Sequence, residues 1–183
     1  MKELLLTEAR EEDLGFLLGM WNAPSVMRYA GYPEGRCWSE TDIQAWWDAY
    51  LAERRRSGED ETQLILRTGD GTAIGESHYG PVSEGFEVGD WRKPEGVRCF
   101  MTDIKLLPQY WGRGIGTQGM RMIVEFIFAN TRCKLLVVPP HMDNPPAFRV
   151  YEKAGFLLTG IEAWEGHEMM ELTRDRFKEL YSG

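Results

Sequence analysis

The segment Gln109-Tyr110-Trp111-Gly112-Arg113-Gly114-Ile115-Gly116-Thr117 constrains this chain more than any other. It joins a long β-patterned run, residues 97–107, to a helical stripe of Met120, Ile123, Val124 and Ile127. Glycines at such a junction let the backbone turn tightly and approach a ligand without a Cβ in the way. The helix that follows presents unpaired N–H groups and the positive end of its dipole, an anion site suited to a pyrophosphate. Arg113 adds a positive charge beside it. The fold must therefore run strand, turn and helix in direct succession.

Three readings of this turn compete. Gly114-x-Gly116-x-x-Gly119 formally matches a dinucleotide-binding fingerprint. That fingerprint belongs after the first strand, with an acidic residue about 20 positions on; here the turn is mid-chain and residues 134–140 hold no acid. No Gly-Lys-Ser/Thr follows, so it is not a Walker loop either. A plain turn that needs small residues stays open on this segment alone.

Around the turn the pattern is mixed. Leu4-Leu5-Leu6 reads as a strand, and Leu14, Leu17, Leu18 and Trp21 predict an amphipathic helix over 11–22. Ser39 or Thr41 can cap a second helix carrying Ile43, Trp46, Trp47, Tyr50 and Leu51, which fades into a charged run before Gly58. Residues 63–68 and 72–79 read as a hairpin about Gly69-Asp70-Gly71. Residues 80–96, with four glycines, two prolines, Glu84, Glu87, Asp90 and Glu95, read as one long loop. A wholly apolar strand over 135–138, a helix through Ala147, Val150, Tyr151 and Ala154, and strands over 156–164 and 168–173 complete the chain. The order β-α-α-β-β-β-α-β-α-β-β predicts a single α/β domain over 1–183, a mixed sheet with helices packed on it.

Composition narrows the function. The 183 residues suit one core, and no apolar run is long enough for a membrane span. The start, Met1 to Leu6, is too short and too acidic downstream for a signal peptide, so a cytoplasmic protein is expected. Cys37, Cys99 and Cys133 are odd in number and widely spaced, which argues against a disulfide framework or a metal site. A net charge of −8 disfavours nucleic acid and favours cationic partners, amines among them.

The segment Asn144-Pro145-Pro146-Ala147-Phe148-Arg149-Val150-Tyr151-Glu152-Lys153-Ala154-Gly155-Phe156 resolves the choice. Together with Gln109, Gly112 and Gly114 it resembles the GNAT superfamily of N-acetyltransferases. That family carries a Gln/Arg-x-x-Gly-x-Gly/Ala turn and, about 30 residues on, Asn-x-x-Ala-x-x-x-Tyr-x-Lys-x-Gly-Phe. The resemblance implies a mostly antiparallel sheet of six to seven strands, about four helices and a splayed parallel strand pair. It implies acetyl-CoA as cosubstrate, with no metal, and direct acetyl transfer to an amine. By the same resemblance, Gln109, Gly112, Arg113, Gly114, Ile115, Gly116 and Thr117 would hold the pyrophosphate. The backbone of Lys105, Leu106 and Leu107 would pair with the pantetheine arm. Asn144 would cap its helix and contact that arm, and Tyr151 would protonate the departing sulfur.

The acceptor side is less marked. A lysine-like amine is only about one part in 2,500 neutral at pH 7, a deprotonation cost of about 4.6 kcal/mol, so a base is expected. Asp103 on the long strand and Glu76 on the preceding one are the candidates, with His78 on the same face as Glu76. The central part is also similar to aminoglycoside 6′-N-acetyltransferases, which carry an acidic, tryptophan-containing insertion and an Asp on the next strand. Glu87, Asp90 and Trp91, followed by Asp103, fit that pattern, and Trp46 is placed at the acceptor cleft by the resemblance. The expected acceptor is a small aminoglycoside-like or polyamine-like molecule, with a homodimer left open. A protein N-terminal or lysine acetyltransferase and a noncatalytic acyl-CoA sensor are the alternatives.

Overall fold

A computed structural model describes residues 3–57 and 61–181, so Met1, Lys2 and the predicted helix stop at Gly58 lie outside the described residues. The chain divides into two compact units, 1–78 with 104–116 and 79–103 with 117–183.

In the first unit, β1 (Leu4–Glu8) pairs antiparallel with β2 (Thr62–Thr68), from Leu4 opposite Thr68 to Glu8 opposite Leu64. β2 neighbours β3 (Ala73–Pro81), whose residues to His78 belong here. The predicted first helix is a 3₁₀ turn at Glu11–Asp13 followed by α1 (Leu14–Trp21). A short α2 (Pro24–Met27) starts on a proline at its first turn, where the missing N–H costs nothing. α3 (Glu40–Ser57) is capped by Ser39, whose Oγ accepts the Asp42 N–H at 3.3 Å while its own N–H donates to Asp42 at 2.8 Å. The Ser39 hydroxyl, which donates to Asp42 Oδ2 at 2.6 Å, and the Ser39 N–H hold the Asp42 carboxyl below its usual range. The core gathers Leu17, Met20, Trp21, Met27, Trp47 and Ile65, each largely removed from water.

The second unit takes up β3 at Tyr79. Its end pairs antiparallel with β6 (Cys99–Thr102), Tyr79 opposite Thr102 and Pro81 opposite Phe100. β6 pairs parallel with β8 (Leu135–Val138), Cys99 opposite Leu135 through Met101 opposite Val137. β8 pairs antiparallel with β10 (Glu168–Thr173), and β10 with β9 (Leu157–Glu162). α4 (Ile115–Asn130) buries the predicted stripe of Met120, Ile123, Val124 and Ile127. α5 (Pro145–Lys153) ends before Gly155, which takes φ +101°. The mixed, mostly antiparallel sheet with one parallel pair is the architecture expected.

Three details differ. The predicted strand over 97–107 is two, β6 and β7 (Lys105–Leu106), because the ladder lapses at Asp103 and Ile104; β7 pairs with β3 in the first unit. Hydropathy registers the apolar run but not where ladder hydrogen bonds stop. The predicted loop 80–96 holds a small hairpin, β4 (Glu87–Val88) with β5 (Trp91–Arg92). A last helix, α6 (Arg174–Tyr181), follows β10; Phe177 stacks on Phe128 at 4.7 Å and the Tyr181 hydroxyl donates to the Ala154 carbonyl at 2.9 Å. Its apolar positions are too few for periodicity alone to register.

β7 approaches β3 so closely that only glycine fits at position 75. A Cβ there would meet Leu106 Cδ2 at 2.4 Å and the Lys105 carbonyl oxygen at 2.6 Å. Gly75→Ala is expected to destabilise the protein by about 1–3 kcal/mol, the usual cost of overpacking. A thermal melt should then show a midpoint lowered by roughly 2–12 °C.

Candidate active site

The turn after β7 leads into the N-terminus of α4 with its glycine backbone exposed. Pro108–Tyr110 forms a 3₁₀ turn, and the Trp111 indole N–H reaches back to the Leu106 carbonyl at 2.9 Å. Gly112 and Gly114 take φ +69° and +77°, conformations that side-chain-bearing residues avoid. A Cβ on either would meet nothing within 4 Å, so glycine is required by the backbone angle rather than by crowding. Gly112, Arg113 and Gly114 are exposed, and Ile115, Gly116 and Thr117 open α4, whose first N–H groups have no partner within the helix. Gln109 is exposed on the 3₁₀ turn.

The β7 backbone is partly engaged by the protein itself. Leu107 N–H donates to the Ile74 carbonyl at 2.9 Å, on the β3 side, and Tyr110 N–H donates to the Leu107 carbonyl at 3.0 Å. The Leu106 carbonyl holds the Trp111 indole but keeps a second lone pair.

Asn144 stands at the N-cap of α5, yet its side chain makes no capping hydrogen bond. Pro145 and Pro146 fill the first two helical positions and have no N–H to offer. The Ala147 N–H is taken by the Asn144 carbonyl at 3.0 Å. The expected side-chain cap is thus replaced by prolines, and the carboxamide is not used on the helix end. Tyr151 follows on α5, 6% exposed, with its ring edge-on to Phe156 at 5.8 Å.

Glu76 is the most enclosed acid of the predicted set, at 1% exposure. Its Oε1 accepts from the Trp21 indole at 3.1 Å and lies 3.0 Å from Lys105 Nζ; its Oε2 accepts from the Gln63 amide at 2.5 Å. Four elements, α1, β2, β3 and β7, meet on this one carboxylate. Spacing along the chain carried no signal for the Trp21 and Gln63 partners. His78 pairs instead with Glu61 at 2.8 Å, which holds that carboxyl below its usual range. Asp103 is half-buried in the break between β6 and β7. Trp46 is half-buried within an aromatic cluster, 4.7 Å from Trp21 and stacked on Tyr50 at 5.5 Å.

The acidic insertion is a folded, internally paired hairpin. Lys93 Nζ is 2.6 Å from Glu84, whose carboxyl it holds below the usual range, and Arg92 Nε is 2.8 Å from Glu87. Asp90 is exposed, its N–H donating to the Glu162 carbonyl at 3.1 Å. Trp91 is buried at 1% exposure among Cys99, Leu135 and Val137, with its indole on Glu171 at 2.7 Å. Burial raises the Cys99 and Cys133 thiols to about 12, so both are neutral at pH 7. Among the described residues no cluster of three or more His, Cys, Asp or Glu is arranged to hold a metal ion, and no helix is long and apolar enough to cross a membrane.

The family model for the acetyltransferase (GNAT) domain matches residues 3–157, a span that runs through both units. A kanamycin resistance protein of Rhizobium radiobacter is 36% identical over 73 residues, 38% of this chain and 67% of that protein. The structure of AAC(6')-Ib in complex with ribostamycin and coenzyme A aligns at a TM-score of 0.74 and 24% identity, covering 98% of each chain. Spermidine N-acetyltransferase from Vibrio cholerae, in complex with coenzyme A and spermine, aligns at 0.71 and 16% identity, covering 95% of this chain and 97% of its own. With a glycine turn at a helix N-terminus, an uncommitted N-cap asparagine and a family match over most of its length, the chain belongs to the GNAT acetyltransferase family.

Proposed function

We propose that this enzyme transfers acetyl from acetyl-CoA directly to a primary amine of a small, cationic, aminoglycoside-like or polyamine-like acceptor, with the whole chain acting as one GNAT domain. The observation that carries the cosubstrate is the turn at Gly112–Gly116: two left-handed glycines open directly onto the N-terminus of a 16-residue helix. Gly112, Arg113, Gly114, Ile115, Gly116 and Thr117 are assigned to the pyrophosphate, with Gln109 leading into them. The backbone of Lys105, Leu106 and Leu107 and the Asn144 carboxamide are assigned to the pantetheine arm. The acceptor class is supported by the acidic net charge and by the kanamycin and spermine named for the relatives.

In the reaction the neutral amine attacks the thioester carbonyl, a tetrahedral intermediate collapses, and the C–S bond breaks. Tyr151 supplies a proton to the leaving sulfur, a transfer from a phenol near pKa 10 to a thiolate whose thiol lies near 8.5 that is only about 1.5 pKa units, or about 2 kcal/mol, uphill; the proton that nitrogen sheds as the intermediate collapses restores the phenol. Asp103 takes the proton from the ammonium, directly or through water. Glu76 is the weaker candidate because its oxygens already accept Trp21 and Gln63 and balance Lys105. Glu87 and Asp90 contribute negative potential for the acceptor, Glu87 less so because Arg92 offsets it. Trp46 and Trp91 support the acceptor side through the packing of their surroundings, since both rings are engaged in clusters.

Gly114→Glu should abolish measurable coenzyme A binding by calorimetry, through backbone strain, bulk and like charge; unchanged affinity would remove the turn from the cofactor site. Tyr151→Phe should lower kcat by about 10²–10⁴-fold with acetyl-CoA affinity little changed, read from CoA-thiol release. Asp103→Asn should lower kcat/KM and move the rising limb of the pH–rate profile upward, because the amine then sheds its proton unaided. Glu76→Gln should chiefly lower the melting temperature, since it removes the charge that balances Lys105. A Glu76→Gln protein of normal stability that does not turn over, beside a fully active Asp103→Asn, would transfer the base role to Glu76. An acceptor screen by the same thiol assay tests the substrate class.

A further inference from the structure

The loop that delivers Asn144 to the start of α5 is held by a histidine whose hydrogen bond depends on its protonation. Between β8 and α5, His141 Nδ1 accepts the Asp143 backbone N–H at 3.1 Å, and the His141 carbonyl accepts the Asn144 N–H at 2.8 Å. This is the geometry of an Asx turn, with an imidazole nitrogen in place of an asparagine oxygen. A ring nitrogen that accepts a hydrogen bond carries no proton, so the neutral ring keeps its proton on Nε2. Protonation of Nδ1 turns the acceptor into a donor facing another donor, and the turn loses its tie.

The same histidine fastens the loop to the β9–β10 hairpin. His141 and His167 form an antiparallel bridge, Met142 N–H donates to the Gly166 carbonyl at 2.7 Å, and Glu168 N–H donates to the Pro140 carbonyl at 3.2 Å. The imidazole rings meet edge-on at 4.8 Å, and a Cβ on Gly166 would lie 3.0 Å from His141 Nε2. His167 Nδ1 donates to the Glu165 carbonyl at 3.0 Å, a bond that survives protonation of that ring, so the two histidines respond differently to acid. The other titratable groups on these segments are carboxylates: Asp143 and Glu165, with Glu162 accepting the Gly166 N–H and Glu168 the Gly160 N–H.

We infer that His141 is a positioning residue and a proton-sensitive latch: neutral, it holds the turn that presents Asn144; protonated, it releases it. Its effect on the cosubstrate rests on the assignment of Asn144 to acetyl-CoA above. The latch is closed while the His141 ring is neutral and opens when Nδ1 takes up a proton.

The test measures coenzyme A binding by calorimetry from pH 5.5 to 8, with exchange of the Asp143 backbone amide followed by NMR in parallel. Coenzyme A carries a phosphate that titrates near pH 6, so the decisive quantity is the difference between wild type and His141→Asn. Asn keeps an acceptor for the Asp143 N–H and does not titrate. His141→Phe keeps a ring without an acceptor. Wild type should lose about 2- to 10-fold in affinity on acidification beyond the loss in His141→Asn, the scale of one neutral hydrogen bond. Asp143 amide protection should fall with the affinity in wild type and stay constant in His141→Asn. His141→Phe should bind weakly at every pH. Equal acid dependence in wild type and His141→Asn, or an Asp143 amide insensitive to pH in wild type, overturns the latch. If Asn144→Ala leaves affinity unchanged while the Asp143 amide still follows His141, the latch stands and the assignment of Asn144 to acetyl-CoA fails.

Discussion

The buried carboxylate of Glu76 organises the first unit. An isolated charge at 1% exposure would be prohibitively costly, so every element that meets it must supply a donor or a countercharge. α1 supplies the Trp21 indole, β2 the Gln63 amide and β7 the Lys105 ammonium. Each of these residues is thereby fixed in register, and β7 is fixed with them against Gly75. The backbone assigned to the pantetheine arm belongs to that same two-residue strand. Glu76, a candidate proton acceptor in the sequence, thus also fixes, through its partners, the strand proposed to meet the pantetheine arm.

The insertion proposed for the acceptor side follows a related logic. The insertion 80–96 carries acids that, counted along the chain, suggest an open negative loop. In the fold, Lys93 offsets Glu84, Arg92 offsets Glu87, and Trp91 anchors the hairpin by its indole on Glu171. These pairs give the segment a definite shape, and its bare negative charge concentrates on Asp90 and Glu95. For the proposed cationic acceptor, recognition would then rest on where a few carboxylates stand rather than on a diffuse negative field.

Much of the backbone of the proposed cosubstrate site was legible because its requirements are local. A left-handed backbone before a helix needs glycine, and Gly112 and Gly114 announce it in the sequence. The helix stripe of Met120, Ile123, Val124 and Ile127 and the apolar strand Leu135–Val138 emerged where periodicity placed them. Asn144 was legible as a helix start, but its side chain is not the cap, because two prolines remove the donors it would have met. The break at Asp103 was not legible, since ladder hydrogen bonds depend on a neighbouring strand.

What the sequence determined by itself is therefore the main order of strands and helices and the glycine turn, set by short-range periodicity and backbone preference, and the family, through the two motifs that resemble it. What only the tertiary structure decided is which polar groups are shared. Glu76 with Trp21, Gln63 and Lys105, Trp91 with Glu171, and His141 with His167 join residues up to 80 positions apart. Burial makes such pairings obligatory, but no local pattern names the partner, because the partner is whichever donor the packed chain brings within about 3 Å.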